Sequence, residues 1–314
     1  MVKYDPILVT GAFGLVGSAI QNIGYIGYEV PTIYAIGRQQ YDLLQWREVE
    51  RMFKNLKPQA VIHLAAKVGG VKANMAAPAT FFMENITMGT HILEAAKIYG
   101  CKKAICFLST CVFPDPCPLP LKPEHLHWGP PHPSNYGYAY AKRMLAVQCA
   151  AYNQEYGTNF IPVIPCNIYG PHDNFNLENS HVVPALIYKM WTAKQNGTPM
   201  VVWGSGKPLR EFIYSGDIAR LCLDLLDYYE SKEPIILSTG EEHSIKDLVF
   251  TIAGAMNFMG DIIFDTSKPE GQFRKPSDNG PLKALFPNFK FTPLDEGIAK
   301  TVRWFADNYP NVRL

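Results

Sequence analysis

The sequence predicts an α/β protein of the Rossmann type, with a doubly wound parallel sheet and a smaller C-terminal substrate-binding lobe. Short apolar runs alternate with helix-length periodic segments through the first half of the chain, which is typical of a parallel sheet covered by helices on both faces. The first apolar run also ends in a glycine turn that leads into a helix. After about residue 165, proline and glycine divide the chain into shorter pieces, which indicates a second lobe.

The strands and helices of this fold are each predicted by a pattern of apolar residues in the sequence. The predicted strands of the sheet are the apolar runs 7–10, 33–36, 60–64, 104–108 and 160–164. Helical periodicity predicts helices near 45–56, 79–99 and 136–156, and in the second lobe at 181–195, 215–229 and 244–256. We assign residues 1–165 to a dinucleotide-binding domain and 166–314 mainly to the second lobe, and expect the chain to cross back into the first domain. The proline- and histidine-rich segment 114–133 is either a functional lid or plain irregular packing.

Composition excludes several classes of function. The 314 residues are 47% hydrophobic and 18% charged, enough for a large core, and 29 basic residues are mixed with 28 acidic ones. We therefore expect no nucleic-acid partner. No signal peptide and no apolar stretch of membrane-spanning length is present, so no membrane partner is expected. The seven cysteines lack zinc-site spacing, which predicts no metal and reduced thiols in the cytoplasm.

The turn after the first strand has the spacing of a dinucleotide site. Gly11, Gly14 and Gly17 follow one another at intervals of three, where a tight turn, close approach to a pyrophosphate and close helix packing each require an absent side chain. A plain glycine-rich turn is the alternative. The second strand ends at Arg38 with no acidic residue, and an arginine suits a 2′-phosphate better than a free ribose. This favours NADPH over NADH, unless Arg38 is an exposed arginine without a ligand.

Residues near the fourth strand predict proton-transfer chemistry. Ser109 follows that strand, and Tyr138 and Lys142 lie four positions apart, on one face of the next long helix. A phenol with a pKa near ~10 is a poor acid–base catalyst at neutral pH unless a cation such as Lys142 lowers that pKa. Tyr140 is a competing tyrosine, but it lies on a different face.

These residues together resemble the short-chain dehydrogenase/reductase superfamily. Five further stretches are similar to the GDP-L-fucose synthase family within its extended, nucleotide-sugar branch: 63–70 (HLAAKVGG), 109–114 (STCVFP), 169–175 (YGPHDNF), 179–185 (NSHVVPA) and 203–212 (WGSGKPLREF). The resemblance runs from the first strand to about Trp304. Cys111 and His181 within it distinguish this family from general sugar epimerases and dehydratases.

The resemblance implies a two-step reaction. GDP-4-keto-6-deoxy-D-mannose is inverted at C3 and C5, and its C4 ketone is then reduced by NADPH. By this resemblance Cys111 is expected to act as base and His181 as acid, while Ser109 and Tyr138 are expected to bond O4 and Lys142 to bond the nicotinamide ribose as well. From the residues alone, a buried structural thiol at Cys111 and a helix-start or solvent histidine at His181 remain open.

The resemblance also implies the ligand contacts. NADP is expected at Gly11, Phe13, Gly14, Leu15, Gly17, Arg38, Asp42, Leu43, Leu64, Ala65, Ala66, Lys142, Pro165, Asn167, Ile168 and His181. Substrate is expected at Asn167, Lys189, Trp203, Arg210, Lys275 and Asp278. Lys189 departs from relatives that carry arginine there, and Lys275 and Asp278 have a plain charged loop as their alternative. A homodimer is expected, through the helix that bears Tyr138 and the helix before it.

Two rival functions remain at this point. The first is another nucleotide-sugar epimerase or dehydratase, which regenerates its cofactor and lacks the pair Cys111 and His181. The second is a catalytically silent NADP-sensing scaffold, in which the Tyr/Lys pair is often lost. Here Ser109, Tyr138 and Lys142 are all present.

Overall fold

A computed structural model describes residues 3–23, 31–268 and 270–314. In chain order the elements are β1 (Ile7–Thr10), α1 (Leu15–Gln21), β2 (Ile33–Ile36), α2 (Trp46–Leu56), β3 (Ala60–His63), α3 (Val71–Ala76), α4 (Pro78–Ile98), β4 (Lys103–Phe107), α5 (Tyr136–Tyr156), β5 (Phe160–Pro165), β6 (Asn167–Tyr169), α6 (Val182–Asn196), β7 (Met200–Trp203), β8 (Leu209–Tyr214), α7 (Ser215–Tyr228), β9 (Ile235–Leu237), β10 (Glu242–Ser244), α8 (Ile245–Met256), β11 (Ile262–Asp265), α9 (Gly280–Leu285) and α10 (Leu294–Asn308).

The main sheet has six strands in the order β2-β1-β3-β4-β5-β9, and every pairing in it is parallel. The predicted Rossmann-type fold is therefore confirmed. The chain runs outward from β1 to β2 and then returns to β3 on the other side of β1. Ligands of such sheets bind at the carboxyl ends of the strands where the order reverses, so this topology places a crevice between the ends of β1 and β3.

The sixth strand was not among the predicted strands. β9 pairs with β5, Val163 opposite Ile235, although it follows β5 only after most of the second lobe has been built. The helix before β9, α7, packs against α1. With three residues in a segment interrupted by proline and glycine, β9 has too little apolar length to be read from periodicity. The division at residue 165 stays a prediction.

The second lobe has a separate hydrophobic core. It contains a three-stranded sheet, β10-β8-β6, and a two-stranded sheet, β11-β7, flanked by α6, α8 and α10. Fully buried Phe175, Ile187 and Phe305 lie at the centre of this core. Because β6 follows β5 after a single residue, Cys166, the second lobe begins directly at the carboxyl edge of the main sheet.

The segment 114–133 is packed into the protein. Leu121 and Leu126 are buried in the core of the main sheet, and Leu121 bridges to Ser277. Of the two interpretations left open by the sequence, irregular packing describes this arrangement. Among the described residues, no helix is both long and apolar enough to cross a membrane.

Candidate active site

A cavity of about 1180 Å³ opens at the carboxyl edge of the main sheet and continues between the sheet and the second lobe. It is large enough for a dinucleotide together with a sugar nucleotide. Every residue predicted from the sequence to be catalytic or to contact NADP lines this cavity. Of the predicted substrate contacts, Asn167 and Arg210 line it, whereas Lys189, Trp203, Lys275 and Asp278 do not.

The glycine turn brings two backbone segments into close contact. Gly11 has a φ of +68°, and a Cβ on it would lie 2.8 Å from the backbone nitrogen of Ala65. A Cβ on Gly17 would lie 2.4 Å from Cα of Ala12. The Oγ1 atom of Thr10 accepts a hydrogen bond from the Ala65 N–H at 3.3 Å, which joins the ends of β1 and β3. The turn therefore exposes bare backbone to the cavity, as a bound pyrophosphate requires.

His63 has a structural role at this edge. It is 1% exposed, and its Nδ1 lies 2.8 Å from Oγ1 of Thr10. Burial, and after it the charge of Lys142, lowers the pKa of His63 to about 3. The ring is therefore neutral near pH 7.

Arg38 lies on the exposed rim of the cavity, two positions after the end of β2. Asp42 also lines this end, and its Oδ1 accepts a hydrogen bond from the Leu44 N–H at 3.1 Å. Arg38 makes no ion pair within the described part of the chain, so its guanidinium stays available for a ligand at this rim. The geometry fits the adenosine 2′-phosphate of NADP.

Ser109 and Cys111 lie on one turn at the end of β4. The turn Thr110–Val112 is a single 3-10 turn, and the Ser109 hydroxyl oxygen accepts a hydrogen bond from the Cys111 N–H at 3.3 Å. The hydroxyl proton of Ser109 stays free to donate into the cavity. Cys111 is half-buried at the cavity wall.

Tyr138 and Lys142 reach the same cavity from α5. Burial raises the pKa of the Tyr138 phenol above its ordinary value, and negative charge at Cys111 raises it further. Burial also lowers the pKa of Lys142 to about 8. The sequence led us to expect that Lys142 lowers the pKa of Tyr138, but burial outweighs any such effect here. Tyr138 therefore keeps its proton near pH 7, which suits a proton donor.

His181 immediately precedes α6 and faces the cavity from the second lobe. The residue is exposed to solvent in the open cavity, yet burial of its imidazole among the surrounding groups lowers the pKa of the ring by desolvation. Cys111 and His181 thus lie on different layers of the protein and line one space. Among the described residues, no group of three or more His, Cys, Asp or Glu side chains is placed to hold a metal ion.

Comparison with known proteins identifies the family. The sequence pattern of the NAD dependent epimerase/dehydratase family matches residues 7–240. The GDP-L-fucose synthase of Dictyostelium discoideum is 46% identical to this chain, over 98% of this chain and 97% of that protein. This chain belongs to the NAD dependent epimerase/dehydratase family, among the GDP-L-fucose synthases. The resemblance and the enzyme class predicted from the sequence are confirmed.

Two other relatives also match nearly the whole chain. A crystal structure of a GDP-L-fucose synthetase from Naegleria fowleri bound to NADP superimposes with a TM-score of 0.95 and 44% identity, over 100% of this chain and 96% of that one. The GDP-L-colitose synthase of Yersinia pseudotuberculosis is 33% identical, over 97% of this chain and 99% of that protein.

The predicted substrate contacts of this family member fall into three groups. Asn167 and Arg210 face the cavity, where the Nδ2 atom of Asn167 donates to the Glu211 carbonyl at 2.8 Å. Lys189 lies with its ammonium 4.8 Å from the ring centroid of Trp203, which is 60% exposed, so this pair forms a cation–π contact beyond the cavity wall. Lys275 and Asp278 instead make bonds within the protein.

The bonds of Lys275 and Asp278 are to backbone groups. The Lys275 ammonium donates to the Thr110 carbonyl at 2.9 Å. Oδ1 of Asp278 accepts from the Gly280 N–H at 2.9 Å. The sequence predicted neither of these hydrogen bonds. Both alternatives for Lys275 and Asp278, a substrate contact and a plain charged loop, left their partners within the protein unspecified.

Sequence reasoning missed several charged residues of the cavity. Lys67 and Glu84 line it as an ion pair at 3.0 Å. Asp173 lines it with its Oδ2 buried and without a hydrogen-bond partner in the described chain, and burial raises the pKa of this carboxyl to about 7. Arg313 lines the same wall. Lys67 and Asp173 lie inside stretches that resembled the family, so a signal existed for both, whereas Arg313 had none.

Proposed function

We propose that this chain is an NADP-dependent GDP-L-fucose synthase. It inverts C3 and C5 of GDP-4-keto-6-deoxy-D-mannose and then reduces the C4 ketone to give GDP-L-fucose. The observation that carries the proposal is that Cys111 and His181 line the same cavity as Ser109, Tyr138 and Lys142. One pocket thus holds the groups for carbon acid–base chemistry and those for ketone reduction.

Inversion requires a base and an acid on opposite faces of the sugar. The C4 ketone acidifies the hydrogens at C3 and C5, so the thiolate of Cys111 removes a proton and leaves an enolate. The free hydroxyl proton of Ser109 is donated to O4 and stabilises the negative charge that develops there. Desolvation lowers the pKa of His181, which makes its protonated form a stronger acid toward the enolate carbon. Return of the proton on the other face inverts the centre.

Reduction uses the α5 side chains. Bound NADPH supplies the hydride that C4 receives. Tyr138, whose pKa is raised by burial, retains the proton that O4 needs as the carbonyl becomes a hydroxyl. Lys142, with a pKa of about 8, carries a positive charge near pH 7 and stabilises the phenolate that remains.

The ligands are held at opposite ends of the cavity. Backbone around Gly11 and Gly17 receives the pyrophosphate of NADP, and Arg38 receives its 2′-phosphate. Asn167 and Arg210 bind the nucleotide half of the substrate, and Arg210 offers a planar fork to the diphosphate. Lys189 and Trp203 lie farther out, where an aromatic face and a point charge suit the end of a nucleotide.

The experiment is incubation of the protein with GDP-4-keto-6-deoxy-D-mannose and NADPH, followed by identification of the sugar by NMR. We expect one NADPH oxidised for each GDP-L-fucose formed. A 4-epimerase or 4,6-dehydratase regenerates its cofactor and gives no net oxidation, and a silent NADP-binding scaffold binds NADPH without turnover. Either of these results would contradict the proposal.

We also infer a homodimer and a cytoplasmic location. α4 and α5 pack against each other and carry exposed apolar side chains, among them Met83 and Val147, that a second copy would cover. Light scattering after size exclusion tests the dimer, and Met83→Lys should shift it toward the monomer. All seven cysteines are free thiols, which supports a reducing compartment.

A further inference from the structure

The turn that carries Cys111 is fixed by a side chain from a distant part of the chain. Lys275 donates to the Thr110 carbonyl at 2.9 Å across 165 positions of sequence. The N–H of the same peptide unit belongs to Cys111 and donates to Ser109 Oγ. Because a peptide unit is planar, these two bonds fix the plane before the Cys111 Cα, and the Val112 N–H, which donates to the Ser109 carbonyl at 3.0 Å, fixes the plane after it. With both planes fixed, the direction in which the Cys111 side chain leaves the backbone is fixed as well.

A second cation holds the other end of this turn. Arg143 is 4% exposed, and its guanidinium donates to the Val112 carbonyl, from Nε at 3.0 Å and also from Nη2. Its Nη1 donates to the Gly129 carbonyl at 2.8 Å. The planar fork thus joins the two ends of the segment that follows Cys111. Arg143 comes directly after Lys142 on α5, so the helix that supplies Tyr138 and Lys142 also anchors the turn.

We propose that Arg143 and Lys275 are positioning residues for Cys111, which hold its thiol against the carbon that it deprotonates. This inference rests on the proposed function. A reacting group displaced by about 1 Å loses on the order of 10²-fold in rate. We call Arg143, Lys275 and their bonds to this turn the clamp. Tyr138 and Lys142 are fixed within α5, so the clamp matters more for inversion than for hydride transfer. The bond to Thr110 gives Lys275 a task other than substrate contact.

The test compares inversion with reduction in the same proteins. Deuterium exchange into C3 and C5 of the keto sugar, without NADPH, reports inversion, and NADPH oxidation reports reduction. We expect Lys275→Met and Arg143→Lys each to lower exchange about tenfold or more and NADPH oxidation less than about threefold, since the thiol moves with the released turn while Tyr138 and Lys142 keep their places on α5. The product should then include sugars reduced at C4 without both inversions. Lys275→Arg, which can still reach the Thr110 carbonyl, should restore most of the exchange.

The controls are matched for charge and size. Arg47→Lys, on the exposed face of α2, and Lys283→Met, on the exposed face of α9, should leave both rates unchanged. An equal loss of exchange and oxidation in the Lys275 and Arg143 variants would mean a merely structural role and would overturn the proposal. A change confined to the KM for the keto sugar in Lys275→Met would make Lys275 a substrate contact and would overturn its part in the clamp.

Alkylation of Cys111 separates this proposal from the proposed function. Iodoacetamide labelling of the folded protein, read by peptide mass spectrometry, needs no substrate. Release of the turn should expose the half-buried thiol, and we expect Cys111 in Lys275→Met to react at least about threefold faster, with Lys283→Met unchanged. If the protein makes no GDP-L-fucose but this acceleration appears, the proposed function fails and the clamp stands. If the rate is unchanged in Lys275→Met and in Arg143→Lys, the clamp fails whatever the reaction.

Discussion

The two walls of the cavity at the edge of the main sheet are built by opposite means. At the cofactor wall, the glycine turn lies against the chain after β3 because Gly11 has no side chain, and α1 lies against the turn itself because Gly17 has none. At the thiol wall, the turn around Cys111 is held by side chains, Arg143 from 31 positions away and Lys275 from 165. The cofactor wall requires positions without side chains, whereas the thiol wall requires side-chain hydrogen bonds that a single substitution removes.

This difference implies that a substitution can disrupt one wall and leave the other intact. A side chain added at Gly17 would collide with backbone, which cannot move away without distorting the sheet, so the cofactor wall tolerates little change. The thiol wall can lose one bond while the fold persists. Because the two chemistries of the proposed reaction use different walls, variants of each should affect one chemistry and spare the other.

The largest difference between the effects on NADPH oxidation and on deuterium exchange is expected from Tyr138→Phe. Phenylalanine has no proton to give to O4, so NADPH oxidation with the keto sugar should fall by roughly 10²–10⁴. Deuterium exchange at C3 and C5 should stay within about threefold, because the thiol wall is intact. Tyr140→Phe is the matched control, since Tyr140 lies against the Arg143 guanidinium and does not line the cavity. Normal NADPH oxidation in Tyr138→Phe would remove this residue from the site.

The opposite result, loss of exchange with NADPH oxidation continuing, is expected from Cys111→Ser. A hydroxyl has far too high a pKa to act as a base near neutrality, so exchange at C3 and C5 should fall by about 10²-fold. NADPH should still be oxidised slowly, giving a sugar reduced at C4 without both inversions. Cys117→Ser replaces the other half-buried cysteine, which does not line the cavity, and should leave exchange intact. Normal exchange in Cys111→Ser would return the thiol to a structural role.

The difference between the cofactor wall and the thiol wall also explains which parts of the site could be predicted from the sequence. The cofactor wall follows from spacing along a short segment, and α5 was predicted at its observed bounds because a long periodic stretch ends at Gly157 in the left-handed conformation. The bond from Lys275 to Thr110 has no such signal, since one side chain joins two segments far apart in sequence. The pKa of Tyr138 was expected to be lowered by Lys142, but burial, which only the fold determines, has the larger effect.

A smaller effect on the cofactor wall is expected from Arg38→Ala. Loss of a charge-assisted hydrogen bond costs about 1.5–3 kcal/mol, which corresponds to at least about tenfold weaker NADPH binding. NADH binding should hardly change, since NADH has no 2′-phosphate. Calorimetric titration of both cofactors measures this, with Arg47→Ala as the control because Arg47 is exposed on α2. An unchanged preference for NADPH in Arg38→Ala would mean that another residue binds the phosphate.

The smallest effect is expected at Asp173, which lines the cavity from the second lobe, outside the cofactor wall and the thiol wall. Burial raises the pKa of this carboxyl from its ordinary 3.8 to about 7, although the Asn174 N–H and the charge of Arg313 oppose the shift. The folded protein therefore keeps a proton that the unfolded chain has lost, so the stability from this group is full below pH 3.8 and is lost as the pH rises through 7.

Between pH 6 and 8 that loss should be on the order of 1 kcal/mol, or a few degrees in Tm for a chain of this size. Asp173→Asn cannot ionise, so its Tm should fall less than that of the parent protein over this range. Asp261→Asn, at an exposed position, should keep the parent slope. Parallel slopes for the parent and Asp173→Asn would mean that Asp173 is already ionised at pH 6. The second lobe would then hold a buried charge against the cavity, and this side of the cavity would depend on Arg313 in the way that the thiol wall depends on Arg143 and Lys275.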